Sequence, residues 1–252
     1  MSEERKPGSF AAFVLLESGV WDMGKLKADL EADWGVAVPD DATAQGASLV
    51  FEAEGMLAAV SLMPAPVPNG EAEQNAQNNY LWPDAVQTVK GHRAHLLVAL
   101  LPHGRGPIEA GRLHCKIVAS CCRQKNALGV YTGATVLQPQ FYIDVCAGQR
   151  DGELPLLDWI YFGLYQDNGR LCGYTYGMKS FGFDEIEVLD AAAGPEELHA
   201  FLYNVAYYVL DSGAVLHDGE TIGFAEGEAL AITRGPGAAL DGETLKIAYP
   251  AQ

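Results

Sequence analysis

The chain has 252 residues, of which 49% are hydrophobic, so it can bury one large core or two smaller ones. Its 16 lysine and arginine residues against 33 aspartate and glutamate residues give a net charge of −17, which disfavours binding to nucleic acid or to an anionic membrane surface. No apolar run approaches the roughly 20 residues that a transmembrane helix needs.

The first 101 residues predict a sheet with two helical segments. Apolar runs predict strands at 10–16, 49–53, 56–63 and 95–101. Helical periodicity predicts a helix over 22–34 and another over 71–89, with a break near Trp82 and Pro83. This order of elements, βαββαβ, is that of a ferredoxin-like fold.

The segment Pro102–Pro107 contains two prolines and two glycines, which is typical of a joint between domains or of a loop. The remainder, 108–252, predicts a second α+β half. A helix is expected over 108–125, a strand over 127–136 and short strands near the C-terminus. We therefore predict an α+β protein of antiparallel sheets covered by helices, divided into halves at 1–101 and 108–252. The same pattern also fits one continuous domain.

The clearest elements of the second half are a hairpin and a helix. Aromatic and β-branched residues flank Asn168 and Gly169, which can adopt the positive φ angles of a type I′ turn. The implied register places Tyr165 opposite Cys172 and Tyr161 opposite Tyr176. A helix follows from Pro195 to about Gly213, with seven residues at core spacing: Leu198, Phe201, Leu202, Val205, Ala206, Val209 and Leu210.

The five cysteines are an odd number without the spacing of a metal site, and the chain starts with the acidic sequence Met1-Ser2-Glu3-Glu4 rather than a basic signal peptide. These features predict buried, free thiols and a cytoplasmic protein.

Several short motifs together resemble a bacterial family known only as a domain of unknown function, DUF4261. They are Phe13–Glu17, Met63–Pro66, Asn126–Val130, Gly177–Gly182, Glu185-Ile-Glu187 and Asp218–Gly223. The resemblance extends over nearly the whole chain. It implies a bacterial cytoplasmic protein and supplies no catalytic residue. Families of this kind sometimes occur among secretion-linked or immunity-type genes, so the resemblance implies a role of that type by association.

A candidate binding pocket lies in and after the hairpin. Phenol groups, one cation and paired carboxylates are expected to converge there, and they belong to Tyr161, Tyr174, Tyr176, Lys179, Glu185 and Glu187. The alternative is that Glu185 and Glu187 simply face water, because they alternate with the apolar Ile186 and Val188 on a half-buried strand.

A candidate partner face lies on the predicted helix 108–125. Residues 101–150 contain 6 basic and 2 acidic residues, and the helical spacing brings Arg112, Lys116 and Arg123 together as a basic stripe. The stripe would attract an acidic partner protein or the acidic half of a second copy. Alternatively, it is a solvated face or is paired internally with the acidic C-terminal half.

The sequence contains no nucleophile elbow, phosphate-binding loop or dinucleotide fingerprint. His92 and His95 lack the helical context and the partners of a metal site, so neither a metal nor a cofactor is predicted. We therefore expect a non-enzymatic protein-binding protein, of immunity or secretion-accessory type. Its partner would be another protein or a second copy of the chain. The alternative is an enzyme or small-molecule-binding protein that uses the aromatic and acidic face of the hairpin region.

Overall fold

The computed structural model describes residues 10–39, 42–225 and 227–250; the acidic start of the chain lies outside these ranges. Contacts divide the chain into two compact units, with the boundary between Trp159 and Ile160. The segment Pro102–Pro107, predicted as a joint or a loop, connects a strand to a helix inside the N-terminal unit. Prolines and glycines interrupt helices and strands. They therefore suit a loop inside one unit as well as a linker between two units.

The N-terminal unit consists of one sheet and six α-helices in the described residues. The strands are β1 (Phe10–Leu16), β2 (Thr43–Gln45), β3 (Ser48–Ala53), β4 (Met56–Met63), β5 (Ala94–Leu101), β6 (Ala127–Tyr131) and β7 (Val136–Leu137). The helices are α1 (Met23–Trp34), α2 (Glu71–Ala76), α3 (Ala85–Val89), α4 (Pro107–Cys122), α5 (Pro139–Ala147) and α6 (Leu156–Trp159).

The order of strands in this sheet is β2-β3-β4-β5-β1-β6-β7, and every neighbouring pair is antiparallel. A ferredoxin-like sheet would place the first strand between the third and fourth of the predicted strands. Here β5 lies between β4 and β1, so the ferredoxin-like topology is not confirmed. The order of elements along the chain was predicted, but the long connection between β4 and β5 does not determine where β5 joins the sheet.

Strand β1 is covered on both faces. Leu15 packs with apolar residues of α2, α3 and β7, whereas Phe10 contacts His114 of α4 on the other face. Because side chains alternate along a strand, Val14 and Leu16 lie on the same face as Phe10. Val14, Leu15 and Leu16 are all fully buried. Because both faces of β1 are covered, its sequence is continuously apolar.

His114 is buried, and burial lowers its pKa to about 4 although a ring nitrogen lies 3.2 Å from the carbonyl oxygen of Val98. The unfolded chain, with a histidine pKa of 6.5, binds a proton that the folded chain excludes, so stability falls as the pH drops from 6.5 towards 4. We expect wild-type protein to lose about 2 kcal/mol more stability between pH 7 and pH 5 than a His114→Gln variant.

Urea unfolding at the two pH values measures this difference. His217→Gln provides the control, because it makes the same substitution at an exposed histidine. Equal pH dependence in wild type and His114→Gln would show that His114 does not carry this effect.

The C-terminal unit contains a six-stranded sheet and the helix α7 (Pro195–Ser212). Its strands are β8 (Tyr161–Asp167), β9 (Arg170–Tyr176), β10 (Ile186–Ala191), β11 (Thr221–Ile222), β12 (Leu230–Pro236) and β13 (Glu243–Ile247). Their order is β11-β12-β13-β10-β9-β8, and only the pair β10–β13 is parallel. The two sheets with their helices confirm the predicted α+β class.

Helix α7 forms where the sequence predicts it. Glu197 accepts a hydrogen bond from the Gly194 amide at 2.8 Å, and Gly213 ends the helix with a φ of 69°. All seven residues at core spacing are buried, and the helix packs against β8, β9 and β10. Within the described ranges, no helix combines the length and the apolar character that crossing a membrane requires.

Candidate functional site

The hairpin β8–β9 has the predicted turn and register. Asn168 and Gly169 have φ angles of 50° and 79°, as a type I′ turn requires. Tyr165 lies opposite Cys172 and Tyr161 lies opposite Tyr176, as predicted. Because the side chains of a strand alternate between faces, this register separates the hairpin into two chemically different faces.

One face of the hairpin packs against α7. The centroid of the Phe162 ring lies 5.1 Å from the ring centroid of His199 and 6.0 Å from that of Tyr203. At Gly173 a β-carbon would lie 2.7 Å from the nearest methyl carbon of Leu202, so only glycine permits this close approach. Helix α7 therefore covers the face of the hairpin on which the large Phe162 ring lies beside the small Gly173.

The opposite face carries Tyr161, Tyr165, Tyr174 and Tyr176, which we call the tyrosine face. The Tyr174 ring lies across Gly163, and its centroid is 6.1 Å from that of Tyr161 and 6.2 Å from that of Tyr165. Tyr176 is 45% exposed, and the other three are half-buried. Tyr165 was not among the predicted site residues, although the alternation of side chains along β8 places it beside Tyr161.

The tyrosine face offers hydroxyl groups rather than a base. Burial raises the pKa of Tyr174 above its ordinary value and that of Tyr165 to about 12, so both phenols stay protonated near neutral pH. Protonated phenols donate and accept hydrogen bonds and present flat apolar rings, which suits binding more than proton abstraction.

Glu187 on β10 lies opposite Tyr174 but is fully buried. Its carboxylate accepts hydrogen bonds from the amides of Ala238 and Ala239 at 2.9–3.0 Å and from the Thr244 hydroxyl at 2.8 Å. Lys246 Nζ lies 3.5 Å away. Burial alone would raise the pKa of Glu187, but these donors and the lysine charge together lower it. Glu187 is therefore an internal anion that holds the loop between β12 and β13 against the sheet.

Glu185 has an equivalent role at the turn that follows β9. Its carboxylate accepts hydrogen bonds from the Thr175 hydroxyl at 2.8 Å and from the amides of Gly177 and Lys179 at 2.9 and 3.2 Å. Gly177 has a φ of 128°, so its positive φ contributes to aiming the amides at the carboxylate. Burial raises the pKa of Glu185, although the donors oppose that shift.

The candidate pocket therefore separates into two parts. The tyrosines share one face, whereas both glutamates are buried behind loops and the Lys179 side chain is exposed. The alternative in which the glutamates face water is wrong, because both are buried: the turn after β9 holds Glu185, and the loop between β12 and β13 holds Glu187. A shallow cleft in this unit is lined by other residues: Phe183, Asp184, Ile186, Val209, Leu216 and Leu245. Its interior volume of about 10 Å³ gives room for about one water molecule, whereas a small-molecule site has roughly 300 Å³ or more.

The basic stripe is paired within the N-terminal unit. The contacts are Arg112 to the carbonyl oxygens of Gly152 and Glu153 at 3.0 Å, Lys116 Nζ to Glu54 Oε1 at 3.4 Å, and Arg123 Nε to Asp33 Oδ2 at 2.7 Å. Internal pairing was one of the alternatives to a partner face. The carboxylates that pair with Lys116 and Arg123 lie in the first 101 residues rather than in the acidic C-terminal half, and Arg112 contacts backbone carbonyl oxygens instead of carboxylates. The three cations therefore do not form a free basic surface.

The histidine pair has structural contacts. His92 is buried, with Nε2 accepting a hydrogen bond from the Val67 amide and Nδ1 lying 2.6 Å from the Val89 carbonyl oxygen. His95 lies on β5, and its Nδ1 is 2.9 Å from the Ala65 carbonyl oxygen. Both histidines hold the extended segment after β4 against the sheet. All five cysteines are free and buried, which confirms the expectation of buried thiols.

Comparison with known proteins found a family match within the C-terminal unit. Residues 174–248 match the family model described as Domain of unknown function (DUF4261). The matched range includes the Gly177–Gly182 turn, the two buried glutamates and the Asp218–Gly223 motif, whereas the resembling motifs of the N-terminal unit lie outside it. Searches of curated proteins and of solved structures found no match. Residues 174–248 are therefore similar to the DUF4261 family, and this match confirms the resemblance of the motifs within the C-terminal unit.

Proposed function

We propose that this chain is a non-enzymatic protein-binding protein that contacts a partner protein through the tyrosine face. The observation that carries the proposal is the position of four tyrosines together on the face of the hairpin that turns away from α7. Tyrosine is enriched in protein interfaces and in their energetic centres, because it buries a large apolar ring and still forms hydrogen bonds.

The charge of the C-terminal unit supports a basic partner. Residues 160–252 contain 14 acidic and 4 basic residues. Three of the four basic side chains contact carboxylates of the same unit, in the pairs Arg170–Asp190, Arg234–Asp184 and Lys246–Glu187. An arginine- or lysine-bearing surface would be attracted and could place its cations on the tyrosine rings. A second copy of this unit would be repelled, so we favour a different protein over a homodimer.

The enzyme or small-molecule alternative is less well supported. It needs carboxylates that can reach a ligand, and Glu185 and Glu187 accept hydrogen bonds from their own chain instead. We also infer a cytoplasmic location, because five free cysteines suit a reducing compartment. An immunity or secretion-accessory role stays a proposal that identification of the partner would decide.

The proposal is tested by replacing Tyr176 with a photo-crosslinking amino acid in cells that express the protein from its own gene. We expect one predominant covalent adduct with a protein that has a basic surface. Tyr208 on α7 provides the matched control, because its exposure of 44% is close to the 45% of Tyr176 and it lies outside the tyrosine face. The adduct should be absent when the crosslinker is at position 208.

The identified protein is then purified and its affinity measured at low and high salt. We expect binding to weaken with salt and to fall at least about tenfold in Tyr176→Ala, with Tyr208→Ala unchanged. Adducts of equal yield at both positions, or an affinity that Tyr176→Ala does not alter, would contradict the proposal.

A further inference from the structure

Three helices of the N-terminal unit bring two thiols and a carboxyl group together in its interior. Cys115 lies on α4, Cys146 on α5 and Asp158 on α6. The two cysteines are fully buried and Asp158 is 5% exposed. Cys115 Sγ lies 3.1 Å from Asp158 Oδ2, and one potential ligand atom from each residue lies within 4.8 Å of the other two.

Polar atoms in this cluster lack the partners that burial normally demands. Asp158 Oδ1 has no hydrogen-bond partner, and neither has the buried Oε1 of Gln149, whose Nε2 donates to Cys146 Sγ at 3.2 Å. A buried polar atom without a partner costs roughly 1 to 3 kcal/mol, so such atoms usually indicate a missing ligand or a functional constraint. Burial also raises the pKa of the Asp158 carboxyl and of the Cys115 thiol, because an apolar interior disfavours their charged forms.

The geometry points to a binding site for a thiophilic divalent cation, Zn²⁺, held by Cys115 Sγ, Cys146 Sγ and the Asp158 carboxylate. Tetrahedral zinc with bonds of about 2.3 Å to sulfur and about 2.0 Å to oxygen separates its ligand atoms by about 3.5 to 3.8 Å. The ligand atoms of the cluster lie 3.1 Å apart for Cys115 and Asp158 and within 4.8 Å for the other pairs, so shifts of up to about 1 Å bring them to that spacing. The Gln149 amide would remain as a donor to the Cys146 thiolate, a type of contact that orients zinc ligands.

A cation explains more of the cluster than a disulfide does. A Cys115–Cys146 disulfide would consume the two thiols, remove the thiol that donates to Asp158 Oδ2, and leave Asp158 Oδ1 without a partner. Zinc would engage the carboxylate as well, and thiolate ligands select zinc over magnesium or calcium. No metal is predicted from the sequence, because Cys115, Cys146 and Asp158 are 31 and 12 residues apart on three separate helices and form no recognisable spacing.

The test uses the full-length protein, unfolded and refolded under reducing conditions with a chelator, and then refolded with Zn²⁺ or Co²⁺. We expect one equivalent of bound metal by mass spectrometry and a higher melting temperature with Zn²⁺. The Co²⁺ form should show thiolate-to-cobalt charge-transfer absorption and the visible bands of tetrahedral cobalt. Cys146→Ala and Asp158→Asn should weaken binding by at least about 100-fold.

Cys121→Ala is the matched control, because Cys121 is also fully buried on α4 but is not one of the three ligands. It should retain the cobalt spectrum. If Cys146→Ala does not fold, the wild-type spectrum and Asp158→Asn still decide. Wild-type protein without thiolate-to-cobalt absorption, a spectrum that Asp158→Asn leaves unchanged, or recovery of a Cys115–Cys146 disulfide in place of metal would overturn the proposal.

Discussion

Replacing Glu187 by glutamine is expected to lower the free energy of unfolding by about 3 to 5 kcal/mol. The carboxylate accepts hydrogen bonds from two amides and one hydroxyl group, and Lys246 lies beside it. Glutamine keeps one acceptor oxygen, but its amide NH2 group would face the remaining donors and could accept no hydrogen bond from them. Denaturation followed by circular dichroism measures the loss, and faster amide hydrogen exchange at Ala238 and Ala239 would locate it.

The effect of Glu187→Gln should depend on pH. The pKa of Glu187 in the folded chain lies below the ordinary value of 4.5, so its contribution is present above about pH 4.5 and disappears as the pH falls through the folded pKa. Glu243→Gln is the control, because Glu243 is exposed beside Thr244 and forms only a surface ion pair with Arg234, worth less than about 1 kcal/mol. Equal losses in both variants would mean that Glu187 is not an internal anchor.

Truncating Phe162 to alanine is expected to cost about 3 to 5 kcal/mol. The side chain is 2% exposed and fills the space between β8 and α7, in contact with His199 and Tyr203. Its removal leaves a cavity that the sheet and the helix cannot close, because β8 is held by its hydrogen bonds to β9. Thermal and urea unfolding both measure the change.

Tyr208→Ala removes a side chain of similar size from the exposed side of α7 and controls for the loss of helix surface. We expect it to cost less than about 1 kcal/mol. Comparable stability of the Phe162 and Tyr208 variants would reject the packing of β8 against α7 as the core of this unit.

The sequence by itself determined the hairpin turn and helix α7, because both depend on residues that are close together in the chain. Asn168 and Gly169 can adopt positive φ angles, so they specify the turn, and the turn specifies the pairing of Tyr161 with Tyr176. The 3.6-residue period, Pro195 and Gly213 likewise define α7 and its buried face. The hydrogen bonds of a turn or a helix join residues that are about four positions apart or fewer. Local sequence therefore suffices to predict the turn and the helix that the structure shows.

Only the tertiary structure decided which surfaces are covered and which distant groups meet. Alternation along the chain predicts that Glu185 and Glu187 lie on the face opposite Ile186. It does not predict that Glu187 is buried, because the loop that covers it comes about 50 residues later in the chain. The partners of the basic stripe and the position of β5 also depend on long-range contacts. Cys115, Cys146 and Asp158 meet only because three helices pack together. Local patterns carry no information on such contacts, since packing between distant segments is set by the shape and charge of the whole unit.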